Sequence, residues 1–203
     1  MNTYRLRVKR QPDGVIETLI EDPGPERAGL ALIAHPHPLH GGSLDNKVVW
    51  QIARSVLDLG YVAVRPNFRG VGASDGEYDH GVGETEDLLA VAAAVGAGFP
   101  GLAWTLFGFS FGAYVQHRVS RRLPAERLVM IGPAVSMYDF EPPPLRTDIV
   151  HGEADELIPL GIVRDYAERH GIALHVIPGG SHFLHGKLGE LKQHLIRLLR
   201  PPD

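Results

Sequence analysis

The chain has 203 residues, of which 44% are hydrophobic, a formal net charge of -4 and no cysteine. This length allows a sizeable core but not two full domains, so we expect residues 1–203 to form a single domain. The lack of cysteine excludes disulfides, thiolate metal sites and a cysteine nucleophile. Because the charges are scattered without a basic stripe, we expect neither nucleic acid nor an anionic membrane as a partner.

The amino-terminal segment is polar and basic. No apolar stretch follows residues 1–11, so the sequence predicts neither a secretory signal nor a membrane span. We therefore expect a cytoplasmic protein.

Apolar runs and turn residues alternate in an order that predicts a mostly parallel sheet. Residues 4–9 and 15–21 are β-rich and flank Gln11-Pro12-Asp13-Gly14, a turn that favours an antiparallel hairpin. From residue 30 onward, apolar strands alternate with amphipathic helices. The later strands are predicted at residues 30–34, 61–66, 103–107, 127–131, 147–151 and 173–177, and the helices at 46–59, 84–95, 113–122, 160–170 and about 184–199. This pattern predicts about eight strands with helices on both faces, and chemistry at the carboxyl ends of the strands.

The pattern Gly-x-Ser-x-Gly occurs twice, around Ser74 and around Ser110. A nucleophile elbow requires a strand that runs directly into a sharp turn and then into a helix, because this geometry projects the serine hydroxyl out of the sheet. Ser110 lies between a buried-strand run and a helix start, whereas Ser74 lies in a glycine-rich acidic loop. We therefore predict that Ser110 is the nucleophile and that Ser74 is a loop residue.

A serine nucleophile needs a base and an acid that orients the base. Of the eleven histidines, His182 follows a predicted strand and a turn and precedes the last helix, and it is the predicted base. His185, its nearest rival, is expected at the start of that helix. Among the carboxylates after the strand at 147–151, we favour Asp155, in the middle of the loop, over Glu153 and Glu156, which are expected to be solvated charges.

Two backbone N–H groups are expected to stabilise the oxyanion, one of them from Phe111. The second is sought in the segment from His35 to Gly42, where Pro36 and Pro38 have no N–H to donate. We favour His37, with Leu39 as the alternative. The spacing of His35, His37 and His40 also suggests zinc, but no second ligand cluster follows downstream, so we predict no metal and no cofactor.

These residues together resemble the α/β-hydrolase superfamily over nearly the whole chain, and most closely its small, lidless bacterial members. The segments that carry the resemblance are His35-Pro36-His37-Pro38-Leu39-His40-Gly41-Gly42, Asn67-Phe68-Arg69-Gly70-Val71-Gly72, the Ser110 elbow, His151-Gly152-Glu153-Ala154-Asp155 and Gly180-Ser181-His182-Phe183. The resemblance implies one α/β-hydrolase domain without a cap, and esterase-like hydrolysis through an acyl-enzyme with Ser110, Asp155 and His182 as its triad. His35-Pro36 stands where these proteins commonly have His-Gly, and dienelactone hydrolases, a looser match, have cysteine where Ser110 stands.

The interval 132–146 is too short for a helical lid, so we expect an open, shallow acyl pocket. Phe109, Phe111, Tyr138 and Phe140 are its predicted lining, which suits short-acyl esters of small molecules. A thioesterase or small-amide hydrolase would use the same triad. The alternative from another class is a non-catalytic binding protein with the hydrolase fold.

Overall fold

The computed structural model describes residues 1–10 and 13–200. Its strands are β1 (Asn2–Lys9), β2 (Val15–Asp22), β3 (Gly29–Ala34), β4 (Tyr61–Pro66), β5 (Trp104–Phe109), β6 (Arg127–Ile131), β7 (Thr147–Gly152) and β8 (Ala173–Ile177). Within the described residues they form one eight-stranded sheet in the order β1-β2-β4-β3-β5-β6-β7-β8. β1 and β2 pair antiparallel, as do β2 and β4, and the other neighbours are parallel. The predicted fold class is thereby confirmed; in the expected hairpin turn, Gln11 and Pro12 lie outside the described residues.

Helices cover both faces of the sheet. They are α1 (Lys47–Leu57), α2 (Val82–Gly96), α3 (Phe111–Ser120), α4 (Leu160–His170) and α5 (Leu188–Leu199). Apolar residues of α1 and α5 form the core on one face, and those of α2, α3 and α4 form the core on the other. Because both faces are covered, β3 and β5 are buried along their whole length, as their continuous apolar sequences predict. No helix within residues 1–10 and 13–200 is long and apolar enough to cross a membrane.

The last helix begins later than the sequence predicts. α5 starts at Leu188 rather than near Leu184, and the preceding residues form turns. Leu184 has a φ of 52°, a left-handed conformation that an α-helix cannot include. His185 therefore lies in an exposed loop and not, as expected, at the start of the helix.

Candidate active site

Ser110 lies at the sharp turn between β5 and α3. Its φ of 55° and ψ of -116° belong to a region that non-glycine residues rarely adopt. A Cβ added to Gly108 would lie 2.3 Å from the carbonyl oxygen of Gly112, and one added to Gly112 would lie 2.4 Å from that of Ala34. The two glycines therefore permit the close backbone contacts around this turn, and the Ser110 hydroxyl is carried to the carboxyl end of the sheet.

The loops after β7 and β8 meet backbone to backbone beside Ser110. A Cβ on Gly152 would lie 2.2 Å from the carbonyl oxygen of Gly180, and the amide of Ala154 donates to that same oxygen at 2.9 Å. This contact brings Asp155 and His182, one from each loop, to adjacent positions. Both side chains are buried, with residue exposures of 6% for Asp155 and 4% for His182.

Three side chains that are distant in sequence lie within hydrogen-bonding distance of one another. His182 Nε2 is 3.1 Å from Ser110 Oγ, and His182 Nδ1 is 2.8 Å from Asp155 Oδ2. Because an ionised carboxylate only accepts hydrogen bonds, Nδ1 carries the proton and Nε2 can accept one from the hydroxyl. This arrangement can remove a proton from Ser110.

The carboxylate of Asp155 is held on both oxygens. Oδ1 accepts the amides of Leu157 at 3.0 Å and Ile158 at 2.8 Å, while Oδ2 faces His182. Burial alone would raise the pKa of Asp155, but the hydrogen bonds from His182 and Ile158 outweigh it and the pKa is lowered. Asp155 is therefore an anion at neutral pH.

The two neighbouring glutamates support the turn that carries His182. The side chain of Glu153 accepts the amide of Gly179 at 2.9 Å, and that of Glu156 accepts the amide of His182 at 3.2 Å. Both residues are exposed, as expected, but neither is only a solvated charge. Their bonds connect the loop after β7 to the loop after β8.

The segment from His35 to Gly42 lies against Phe111, and the aromatic rings of His37 and Phe111 are 5.0 Å apart. The amide of Leu39 donates to His37 Nδ1 at 3.2 Å and so is already bonded. Among the described residues, the amides of His37 and Phe111 have no hydrogen-bond partner. These two N–H groups are therefore available for an oxyanion, whereas that of Leu39 is not.

Both ring nitrogens of His35 form hydrogen bonds with backbone groups, so this imidazole supports the structure. Its Nε2 accepts the amide of Phe68 at 2.9 Å, and its Nδ1 donates to the carbonyl of Pro36 at 2.7 Å. Burial lowers the pKa of His35 to about 4, so the ring is neutral. Within residues 1–10 and 13–200, no cluster of three or more His, Asp or Glu side chains could hold a metal ion.

Ser74 lies in a loop, and its hydroxyl is buried rather than presented to a cavity. The hydroxyl donates to the carbonyl of Asn67 and accepts the amide of Glu17, each at 2.9 Å. It connects the loop after β4 to β2, which is a structural function.

A cavity of about 400 Å³ opens beside Ser110 and His182. Its apolar lining includes Phe111, Ala134, Met137, Tyr138, Leu157 and Phe183. Burial is the larger cause that raises the pKa of Tyr138, and a hydrogen bond with Tyr78 raises it further, so its phenol is neutral. Of the described residues that line this cavity, none is Lys, Arg, Asp or Glu.

The lining differs from the sequence prediction at two positions. Phe109 is fully buried on the α1/α5 side of the sheet, where its ring packs 5.2 Å from that of His182. Phe140 is buried among Tyr114, His117 and Tyr166 in the opposite core. Neither side chain lines the cavity, because each belongs to a core beneath it.

The sequence prediction missed other lining residues. Leu157 and Ile158 come shortly after Asp155, and Phe183 follows His182 directly. Their proximity in sequence to the predicted acid and base was the available signal, since loops that deliver such groups also form the walls around them.

Comparison with known proteins places these features in a family. No protein-family model matches the chain. An uncharacterized protein of Rickettsia prowazekii is 34% identical, over 90% of this chain and 83% of that protein. A serine hydrolase without a lid from Xanthomonas campestris is 36% identical with a TM-score of 0.90, over 100% of this chain and 97% of the other. An α/β serine hydrolase homologue from Coxiella burnetii is 38% identical with a TM-score of 0.92, over 98% of this chain and 99% of the other. The chain therefore belongs to the α/β serine hydrolases.

Proposed function

We propose that this hydrolase is a single-domain enzyme that cleaves short-acyl carboxylic esters through an acyl-enzyme. Ser110 is the nucleophile, His182 the general base and Asp155 the acid that orients it. The observation that carries the proposal is the continuous chain of contacts from Asp155 Oδ2 to His182 at 2.8 Å and from His182 to Ser110 Oγ at 3.1 Å.

In the acylation step, Ser110 Oγ attacks the ester carbonyl carbon while His182 Nε2 takes the hydroxyl proton. Asp155 keeps the other ring proton on Nδ1 and balances the positive charge that forms on the imidazole. When the tetrahedral intermediate collapses, Nε2 returns its proton to the leaving oxygen. An alcohol departs, and Ser110 holds the acyl group.

The same groups act in the deacylation step. Nε2 takes a proton from water, whose oxygen attacks the acyl carbon, and the proton then passes to Ser110 Oγ. A carboxylic acid is released and the free serine is restored.

The negative charge on the carbonyl oxygen is stabilised by the N–H groups of Phe111 and His37. Each such donor typically contributes about 3 kcal/mol to transition-state stabilisation. The hydrogen bonds of the His37 segment support this assignment, because Leu39 has already given its N–H to the His37 ring. The carbonyl of His37 accepts the amides of His40 and Gly42, both at 3.1 Å, and this fixes the turn.

The apolar chemistry of the cavity and its lack of a helical cover within the described residues support a small, uncharged acyl group. Residues 132–146, all of them described, include no helix that could cover the cavity. Its apolar walls and the absence of Lys, Arg, Asp and Glu among the described lining residues favour a short aliphatic acyl chain.

Labelling with a fluorophosphonate probe tests the proposed nucleophile, because the probe needs an activated serine. Ser110→Ala should abolish labelling, whereas Ser74→Ala, the matched serine in the other Gly-x-Ser-x-Gly motif, should retain it. Unlabelled wild-type protein would contradict the proposal and favour a binding protein with the hydrolase fold.

A substrate series tests the proposed specificity. Acetyl and butyryl p-nitrophenyl esters should be hydrolysed with higher kcat/KM than dodecanoyl esters. Butyryl thioester and anilide analogues distinguish the alternative activities, and a strong preference for either over the oxygen ester would contradict carboxylesterase activity.

A further inference from the structure

A second cavity, of about 470 Å³, adjoins the first. The two share Gly41, Asn46 and Phe183 as lining residues. The ring of Phe183 lies edge-on to that of His182 at 5.2 Å, so the shared wall is beside the proposed base. The two cavities therefore meet at these shared residues, next to the proposed base.

Four residues that line the second cavity directly follow the proposed base in sequence. His182 Nε2 must protonate the leaving oxygen, so the alcohol part of an ester has to lie next to this imidazole. Phe183, Leu184, His185 and Gly186, which directly follow His182, all line the second cavity. The apolar cavity beside Ser110 is then left for the acyl group.

The two cavities differ in chemistry. Ser43, Asp45, Lys47 and His185 contribute polar side chains to the second cavity and do not line the first. Asn46 lines both; its Oδ1 accepts the amide of Val48 at 2.9 Å at the start of α1. Its NH2 group remains as a donor at the shared wall.

We infer that the second cavity binds the leaving group of the substrate, and that this group is an uncharged, hydroxyl-bearing alcohol such as a polyol or sugar. The inference rests on the proposed ester hydrolysis. Asp45 and Lys47 have opposite charges and lie two residues apart, so a ligand with a net charge of either sign would be attracted by one and repelled by the other. Hydroxyl groups both donate and accept, and so can bond to a carboxylate and to an ammonium group at once.

The test compares two esters that differ only in hydroxyl groups. Glycerol 1-monobutyrate and n-propyl butyrate have the same acyl group and the same three-carbon leaving group. Wild-type kcat/KM should be about four- to a hundredfold higher for the glycerol ester, since it has two free hydroxyl groups and one hydrogen bond changes such a ratio about two- to tenfold. Lys47→Met and Asp45→Ala should each lower the ratio about two- to tenfold.

Lys9→Met is the matched control, because Lys9 is an exposed lysine on the edge strand β1 and lines neither cavity. It should leave the ratio unchanged. Lys47 and Asp45 are also exposed, so their replacement removes no buried contact.

Three results would overturn the inference. The first is a wild-type ratio near one, and the second is a ratio that Lys47→Met and Asp45→Ala leave unchanged. The third is faster hydrolysis of butyryl-glycerol 3-phosphate than of glycerol monobutyrate, which would show a site for anions. Hydrolysis of p-nitrophenyl butyrate separates the two proposals. If the wild type cleaves that ester but does not prefer glycerol 1-monobutyrate over n-propyl butyrate, only the leaving-group subsite fails. If it cleaves no ester at all, the proposed function fails.

Discussion

Asp155→Asn tests the role of the acid with almost no change in shape. The carboxylate accepts N–H groups on both oxygens, from Leu157 and Ile158 on Oδ1 and from His182 on Oδ2. An asparagine has only one oxygen to accept these donors. Because two backbone amides hold the oxygen at the Oδ1 position, the new NH2 group faces His182.

The magnitude of the loss follows from the tautomer that this NH2 group imposes. It donates to Nδ1, which moves the imidazole proton to Nε2, where the ring can no longer accept the proton of Ser110. We expect kcat/KM to fall about 10³- to 10⁴-fold, equivalent to a barrier increase of about 4–5.5 kcal/mol. Folding should persist, since the bonds to Leu157 and Ile158 remain.

The assay is hydrolysis of p-nitrophenyl butyrate, with circular dichroism to check the fold. Glu153→Gln and Glu156→Gln are the matched controls, because each keeps an oxygen that can accept its amide from the loop carrying His182. Both should retain activity within about tenfold, the effect of one perturbed hydrogen bond. An Asp155→Asn enzyme with more than a tenth of wild-type activity, or a glutamate variant as impaired as Asp155→Asn, would refute the assignment.

Three further predictions concern buried or half-buried side chains. Ser74→Ala should lower the free energy of unfolding in urea by about 1–2 kcal/mol without changing ester hydrolysis, because it removes only structural hydrogen bonds; loss of activity would contradict this. His37→Ala should lower kcat about tenfold, because the imidazole no longer accepts the amide of Leu39. His37→Asn should retain most activity, because Asn Oδ1 can accept the same amide. Equal losses of activity in both variants would count against a positioning role for the His37 side chain. Burial lowers the pKa of His35 from 6.5 to about 4. Between about pH 4 and pH 6.5, His35 therefore binds a proton in the unfolded chain but not in the folded protein. His35 should therefore make the free energy of unfolding about 2 kcal/mol lower at pH 5 than at pH 7, measured by denaturant titration, and a stability that rises toward pH 5 would disprove this.

The sequence indicated the fold and the convergence of the proposed triad because each proposed catalytic residue follows a strand of the sheet. Apolar runs locate such strands well, and the carboxyl ends of parallel strands share one edge. The strand containing Phe109 leads directly to Ser110, and the strands ending at Gly152 and Ile177 lead to Asp155 and His182. Periodicity alone is thus sufficient to bring these residues to the same side.

The wall of the cavity was harder to predict because it depends on side-chain direction in irregular segments. Phe109 was expected to line the cavity from its position next to Ser110, but neighbouring residues on a strand point to opposite faces and it packs beneath His182. Phe140 lies in a segment without helix or strand, where no period indicates its direction. The predicted start of α5 was wrong for a related reason: a leucine in the sequence does not reveal that Leu184 adopts a left-handed backbone conformation.

The distances between the side chains of the site depend on nearby glycines as much as on Ser110, Asp155 and His182 themselves. Gly108 and Gly112 allow the backbones around the Ser110 elbow to touch, and Gly152 allows the loop of Asp155 to lie directly on the carbonyl of Gly180, two residues before His182. A Cβ at Gly152 would require the two loops to separate, and hydrogen bonds of 2.8 and 3.1 Å tolerate little displacement before they weaken. The proposed mechanism explains why serine, histidine and aspartate stand at these three positions, but their proximity depends on the close backbone contacts that the glycines permit.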